Sequence, residues 1–280
     1  MFDHYIPLTE KQIQDIWKDS LFVFDTNVLL HLYRYNVSLR EKLLSIIHQP
    51  IILDRIWIPA KVYEEFLKNR VVVMCEQWSI EEKINSIVKN GILEIEEKIS
   101  KCFTFTYHPY INKEKVVSLL GETNGNISSN IIHDKEINYN IDINNDTLLE
   151  DIRNTLTGKI GNELTADELD QIFINGKERY KKKIPPGFED ENKPEPDRYS
   201  DLVIWQSIIK QAKTGKNIIF IMDDKKEDWW RKEKGRKVGP QPMLLKEFYQ
   251  ETGRLILLYD SDQFYKYGAF VKCCVRHSLS

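Results

Sequence analysis

Three short apolar segments constrain the fold of this chain more than any other feature. LFVF (residues 21–24), NIIFIM (217–222) and LILLY (255–259) lack polar alternation, which is typical of strands buried on both faces. A shorter strand is predicted at 56–58. Because the intervening segments carry helical periodicity, the chain is predicted to be α/β, with a central parallel sheet covered by helices on both faces.

The helix predictions follow from apolar spacing and from residues typical of helix ends. Thr165 with Glu168 forms a capping box that starts one helix, and Pro185 and Pro186 follow its end. The predicted helices cover residues 39–48, 60 to about 100, 165–183, 201–213, 242–252 and 262–270.

A long segment interrupts this α/β pattern. Between about residues 102 and 161 asparagine, isoleucine and glycine become frequent and the periodicity weakens. We therefore predict a single domain over 1–280, with a mainly helical insertion at about 76–184 that divides a core of 20–75 and 185–270. The insertion is expected to gate a site or to contact a protein partner or a second copy of the chain.

Composition and charge exclude several classes of protein. The formal net charge is −3, so any nucleic-acid site must be a local basic patch. No apolar segment approaches the ~18 residues that span a bilayer, and the N-terminus has no apolar signal region. The four cysteines lack CxxC spacing and no GxxxxGK[ST] loop occurs. We expect a cytoplasmic protein with no membrane partner.

Carboxylates follow two of the apolar strands. Asp25 and Asp224 come after strands, Asp201 opens a helix, and Glu65 lies inside the helix that Pro59 starts. Ligands of open α/β sheets bind beyond the carboxyl ends of the strands. Two carboxylates ~5 Å apart repel by roughly 3 kcal/mol at an effective dielectric of ~20. A single such Asp is usually a turn or cap residue, but the set indicates a site for a hard divalent cation.

Four segments resemble the PIN-like domain family of PilT N-terminus nucleases. They are FVFDTNVLLHLYRYN, IWIPAKVYEEFLKNR, SDLVIWQSIIKQA and IIFIMDDKKEDWW, in this order along the chain. The approach PPGFEDENK (185–193) and the DDKKEDWW ending resemble a larger subgroup that has a helical insertion. The resemblance covers about residues 20–75 and 184–265.

The resemblance implies a three-layer α/β/α fold and an endonuclease that depends on Mg²⁺ or Mn²⁺. It implies hydrolysis of RNA, with single-stranded DNA as the alternative, and a role as a toxin or phage-defence effector. The metal-site acids that it implies are Asp25, Glu65, Asp201 and Asp224, with Asp228 as a fifth catalytic candidate. Glu64 is an alternative to Glu65, and Asp223 is an alternative to Asp224.

Other side chains near these segments are candidates for substrate contacts. Trp229 and Trp230 either stack on bases or pack in the core. Asp190 and Lys193 are candidates for a loop at the edge of the site. The predicted substrate-binding residues are Asn27, Arg70, Lys225, Lys226 and Arg231. Each also has a structural interpretation, namely a helix cap for Asn27, an ion pair with Glu65 or Glu64 for Arg70 and a solvated charged loop for the others.

Two other functions compete with a nuclease. A haloacid-dehalogenase-like phosphatase also uses an Asp at a strand end. It needs a second Asp two residues later as a general acid, and this chain has Asn27, which cannot transfer that proton. The second alternative is a PIN-like module that binds or assembles without catalysis.

Overall fold

A computed structural model describes residues 6, 8–103, 110–130 and 143–268. The chain divides into two compact units. The first comprises Met1–Arg70 and Asp146–Ser280, and the second comprises Val71–Asn145. None of the helices within these described ranges is long and apolar enough to cross a membrane.

A parallel sheet forms the centre of the first unit. Its strands are β1 (Leu21–Phe24), β2 (Ile218–Ile221) and β5 (Ile256–Tyr259), in the order β1-β2-β5. Ile56 forms a further parallel bridge to Phe22 beside β1. All four side chains of β2 and of β5 are buried. Because successive side chains point to opposite faces, both faces of the sheet are covered. The predicted α/β fold is confirmed.

Helices account for most of the remaining described residues. They are α1 (Glu10–Asp19), α2 (Thr26–His31), α3 (Val37–Ile47), α4 (Pro50–Leu53), α5 (Ala60–Trp78), α6 (Ile80–Lys101), α7 (Lys113–Asn130), α8 (Thr147–Leu156), α9 (Ala166–Lys181), α10 (Ser200–Ala212), α11 (Pro242–Thr252) and α12 (261–268). The predicted capping box is present at the start of α9, where Thr165 and Glu168 exchange hydrogen bonds.

The bounds of the predicted insertion differ from those of the second unit. Helices α8 and α9 fall inside the predicted insertion but lie within the first unit. Each buries an apolar face there, and Tyr180 of α9 lies with its ring centroid 5.4 Å from that of Tyr199 just before α10. In the second unit, α6 contacts α7. The predicted continuous helix from 60 to about 100 is interrupted by Ser79 alone.

A second, two-stranded antiparallel sheet follows the carboxyl end of β2. It consists of β3 (Trp230–Glu233) and β4 (Arg236–Pro240). The two residues between the strands, Lys234 and Gly235, have φ angles of 50° and 76°. Positive φ at both central positions is the requirement of a type I′ hairpin turn. The sequence pattern did not predict this hairpin, since its strands are charged rather than apolar.

Candidate active site

Strand pairing brings two distant acids together at one edge of the sheet. Asp25 follows β1 directly, and its backbone N–H donates to the carbonyl of Ile221, the last residue of β2, at 2.9 Å. Asp224 lies three residues beyond that point. Both line a pocket of about 370 Å³, together with Glu65 of α5 and Asp201 of α10. The four acids predicted from the sequence therefore share one pocket.

Helical phase selects between Glu64 and Glu65. Glu65 faces the pocket, and its Oε2 accepts a hydrogen bond from Thr26 Oγ1 at 3.1 Å. The Glu64 side chain is 66% exposed and pairs with Lys61 at 3.1 Å. Only Glu65 is placed to act with the strand-end acids.

The loop after β2 selects between Asp223 and Asp224 in the same way. Asp223 Oδ2 lies 2.8 Å from His31 Nδ1 and accepts from Ser261 Oγ at 2.6 Å. Burial alone would raise the pKa of Asp223, but these hydrogen bonds from His31 and Ser261 outweigh it and lower the pKa. Asp224 lines the pocket, and its Oδ1 accepts from the Lys226 backbone N–H at 2.8 Å. Asp223 thus links β2 to α2 and α12, and Asp224 belongs to the site.

Lys226 lies among the acids. Its Nζ is 2.8 Å from Asp190 Oδ2, 3.2 Å from Asp201 Oδ2 and 3.3 Å from Asp224 Oδ2. Burial would lower the pKa of Lys226, but the charges of Asp201 and Asp224 and the hydrogen bond with Asp190 outweigh it and raise the pKa. The ammonium therefore remains charged and neutralises part of the cluster.

The charge of Asp25 is not neutralised in this way. Burial raises the pKa of Asp25 to about 7, the carboxylate of Asp201 adds to the rise, and a backbone hydrogen bond from Thr26 opposes it. Glu65 and Asp224 raise it further. Burial also raises the pKa of Asp201, against the attraction of Lys226. The ionised form of Asp25 therefore lacks a counter-charge near the centre of the pocket.

The donors in this pocket suit a hard cation. Asp25, Glu65, Asp201 and Asp224 offer only carboxylate oxygens, which Mg²⁺ and Mn²⁺ prefer, and the raised pKa of Asp25 marks unneutralised charge. Among the residues that the structure describes, no three acidic, histidine or cysteine groups form a ready-made metal cage. The Lys226 ammonium lies between the acids instead, so a cation would enter by displacing it.

The predicted substrate-binding residues separate into two groups. Asn27 and Lys226 line the pocket, with Asn27 Nδ2 3.4 Å from Asp25 Oδ2. Lys225 is exposed and Arg231 is exposed on β3, and neither lines the pocket. Arg70 is directed elsewhere, since its Nη1 lies 2.6 Å from the buried carboxylate of Asp146. Arg70 therefore forms an ion pair, but with Asp146 rather than with the expected partners Glu64 or Glu65.

Asp228, the fifth catalytic candidate, lies outside the pocket lining. It is fully buried, and its Oδ2 accepts from the backbone N–H groups of Gly187 at 2.8 Å and Glu189 at 3.4 Å. Burial raises the pKa of Asp228 to about 6, Asp201 adds to the rise, and these backbone hydrogen bonds oppose it. The position of Asp228 suits it to hold the loop that carries Asp190 against the site.

Two tryptophans connect the pocket to the hairpin. Trp229 and Trp230 are both buried. Trp229 Nε1 donates to Asp201 Oδ2 at 3.3 Å, and Trp230 Nε1 donates to the carbonyl of Asp224 at 2.6 Å. Their rings are in the core, which leaves them unsuited to stacking on bases.

Several residues of the pocket were not predicted. Lys61, Lys68 and Asn69 lie on the face of α5 that carries Glu65. The spacing of i, i+4, i+7 and i+8 places them on one face, so helical periodicity could have identified them. Thr26, Asp197 and Ser200 also line the pocket. Thr26 lies inside the Asp-Thr-Asn motif, but its hydrogen bond to Glu65 depends on tertiary packing.

The fold is α/β, and acids from separate elements meet at the carboxyl edge of its parallel sheet. Proteins with this arrangement include metal-dependent nucleases. Residues 21–244 match the family described as PIN like domain. This chain belongs to the PIN-like domain family. PIN-like domains are typically nucleases and generally use Mg²⁺ or Mn²⁺. Comparisons with curated proteins and with solved structures gave no match.

Proposed function

We propose that this protein is an endonuclease that hydrolyses RNA phosphodiester bonds with Mg²⁺ or Mn²⁺, with single-stranded DNA as the alternative substrate. The observation that carries the proposal is the convergence of Asp25, Glu65, Asp201 and Asp224 on one pocket. Because burial and neighbouring acids raise the pKa of Asp25, a cation bound in the pocket would stabilise the ionised form of Asp25.

Three of the four acids have a distinct side-chain contact. Thr26 fixes the rotamer of Glu65 through its hydroxyl, and Asn27 lies beside Asp25. Trp229 donates to Asp201, which fixes that carboxylate relative to the sheet. A bound divalent ion would supply a water of lowered pKa and charge to stabilise the pentavalent transition state. The chain itself orients the oxygens that would hold such an ion.

Cations at the rim of the pocket would hold the substrate. Lys61, Lys68 and Lys193 line it beside the acids, and Lys226 would become available if a metal displaced it. Ammonium groups at this position suit phosphates on either side of the bond to be cut. We include Lys225 and Arg231 as contacts to the flanking strand, since both are exposed.

The test is cleavage of labelled single-stranded and double-stranded RNA and DNA by purified protein with Mn²⁺ or with EDTA. We expect RNA to be cut only with metal, and Asp25→Asn to remove the activity. Asp170→Asn is the matched control, because Asp170 is an exposed residue of α9. Undiminished cleavage in EDTA, or full activity of Asp25→Asn, would contradict the proposal.

One observation favours a second candidate, a PIN-like module that binds or assembles without catalysis. The Lys226 ammonium already neutralises part of the acid cluster, as expected in a PIN-like site that no longer binds metal. Calorimetry separates the two candidates, since the nuclease binds Mn²⁺ with measurable heat and the module does not. We further propose, from the family resemblance, that the protein acts in the cytoplasm as a toxin or phage-defence effector. We also propose that the insertion binds a protein partner or a second copy of the chain.

A further inference from the structure

The β3–β4 hairpin carries a cluster of basic side chains next to the pocket. Residues 230–240 contain five basic side chains and one acidic side chain, in a chain whose net charge is −3. Every residue from 231 to 238 is exposed. Glu227 and Asp260 pair with Lys232 and Lys237, and the positive charge that remains on the hairpin attracts polyanions to one place.

Cross-strand pairing places the cations on both faces of the ribbon. Lys232 pairs with Lys237, and Glu233 pairs with Arg236. Since paired residues share a face and neighbours along a strand alternate, Lys232 and Lys237 lie on one face and Glu233 and Arg236 on the other, where Arg231 pairs with Glu233 at 2.8 Å. The contact of Lys237 Nζ with the Trp230 ring, 4.1 Å from its centroid, agrees with this assignment.

The hairpin is attached to the acid pocket at its base. Trp230, the first residue of β3, donates to the carbonyl of Asp224, and the preceding Trp229 donates to Asp201. Gln241, just after β4, closes the base by donating its backbone N–H to the Trp229 carbonyl at 2.9 Å. Whatever binds the ribbon is thereby held in a fixed position relative to the acids.

We propose that the β3–β4 hairpin is a docking arm for a double-stranded segment of the nucleic-acid substrate, next to the strand that enters the acid pocket. The inference rests on the proposed function for the identity of the substrate, an RNA. The arm binds the two phosphate rows that border a groove, and the acids act on the adjoining unpaired strand.

The two-faced distribution of charge is the reason for choosing a duplex over a single strand. A strand lying on the face of Lys232 and Lys237 would leave Arg236, on the other face, without a phosphate. A groove between two phosphate rows offers partners to both faces, and a two-stranded ribbon fits the major groove of B-form DNA. In A-form RNA the two rows approach each other across a deep, narrow groove, which the cations of a ribbon can bridge without reading bases.

The test compares two RNAs of equal length by fluorescence anisotropy in EDTA, where metal-dependent hydrolysis is blocked. One RNA has a base-paired stem and an unpaired tail, and the other is fully unpaired. The variant Lys232→Gln/Lys234→Gln removes two charges from the arm and spares Lys237, which contacts Trp230 and Asp260. The matched control is Lys213→Gln/Lys216→Gln, whose lysines are about half exposed near the amino end of β2.

We expect the hairpin variant to lose affinity for the stem RNA and to reduce its salt slope by about 1.8, at ~0.9 per phosphate contact. The advantage of wild type over this variant would then shrink about twelve-fold between 50 and 200 mM salt. The control should match wild type, and the unpaired RNA should lose clearly less affinity. Equal losses by the two variants, or equal losses on both RNAs, would overturn the inference.

These results are independent of catalysis. If wild type fails to cleave any RNA with Mn²⁺, the proposed function is wrong, while the anisotropy still shows whether the arm binds a duplex. If cleavage occurs and the variant binds the stem RNA as wild type does, the docking arm alone is wrong.

Discussion

Replacing Asp25 with asparagine should stabilise the metal-free protein at neutral and alkaline pH. Burial raises the pKa of the Asp25 carboxyl from 3.8 to about 7, so the folded state binds the Asp25 proton more tightly than the unfolded state does. The free energy of unfolding therefore falls as the pH rises from about 4 to about 7. At about 1.4 kcal/mol per pKa unit, the ionised carboxylate costs about 4 kcal/mol above pH 7.

Asparagine keeps the size and one acceptor of Asp25 but does not titrate. In EDTA, Asp25→Asn and wild type should have similar stability at pH 4. At pH 8 the variant should be more stable by up to about 4 kcal/mol, a shift of about 1–2 M in the urea midpoint. This difference already includes the repulsion of Asp25 by Asp201 and Glu65, which the substitution removes.

The assay is urea unfolding followed by circular dichroism at several pH values, in EDTA and in Mn²⁺. Asp170→Asn, an exposed change of the same chemistry, should stay within about 0.5 kcal/mol of wild type throughout. Added Mn²⁺ should stabilise wild type and have little effect on Asp25→Asn. An Asp25→Asn protein that is no more stable than wild type at pH 8 in EDTA would refute the reasoning.

Three further substitutions test other parts of the structure by the same urea assay. Lys226→Met should destabilise the metal-free protein by about 3 kcal/mol, because three acids lose their shared cation. Mn²⁺ should restore part of this stability, and an equal loss with and without Mn²⁺ would contradict the prediction. Arg70→Met should lower the free energy of unfolding by about 3 kcal/mol, because Asp146 stays buried without its cation. The affinity for RNA should stay unchanged, and weaker RNA binding would show that Arg70 contacts the substrate. Gly187→Ala should lower the free energy of unfolding by about 1–3 kcal/mol, since the φ angle of Gly187 is 93° and a Cβ would meet the Tyr180 hydroxyl. Adding Tyr180→Phe should recover part of the stability, and no recovery would contradict this contact.

The acid pocket was predictable because parallel pairing is a strong rule. Once LFVF and NIIFIM are adjacent parallel strands, the residues after them must meet, which brings Asp25 and Asp224 to one edge. Glu65 followed from the family motif, and the structure adds the helical phase that excludes Glu64.

Contacts between distant loops were not predictable in this way. Arg70 and Asp146 are 76 positions apart across the second unit, and no local pattern pairs them. The Lys226 ammonium could reach solvent, phosphate or carboxylates, and only the fold directs it to Asp201 and Asp224. The hairpin lacked the alternating apolar pattern that marks strands, because both of its faces are exposed.

The proposed function requires that carboxylates distant in the chain hold one divalent cation. Its most direct test is Mn²⁺ binding measured by isothermal titration calorimetry for wild type, Asp25→Asn, Asp224→Asn and the Asp170→Asn control. We predict that wild type and Asp170→Asn bind Mn²⁺ alike, and that each pocket variant binds at least ten-fold more weakly. Equal Mn²⁺ affinity in all four proteins would contradict it.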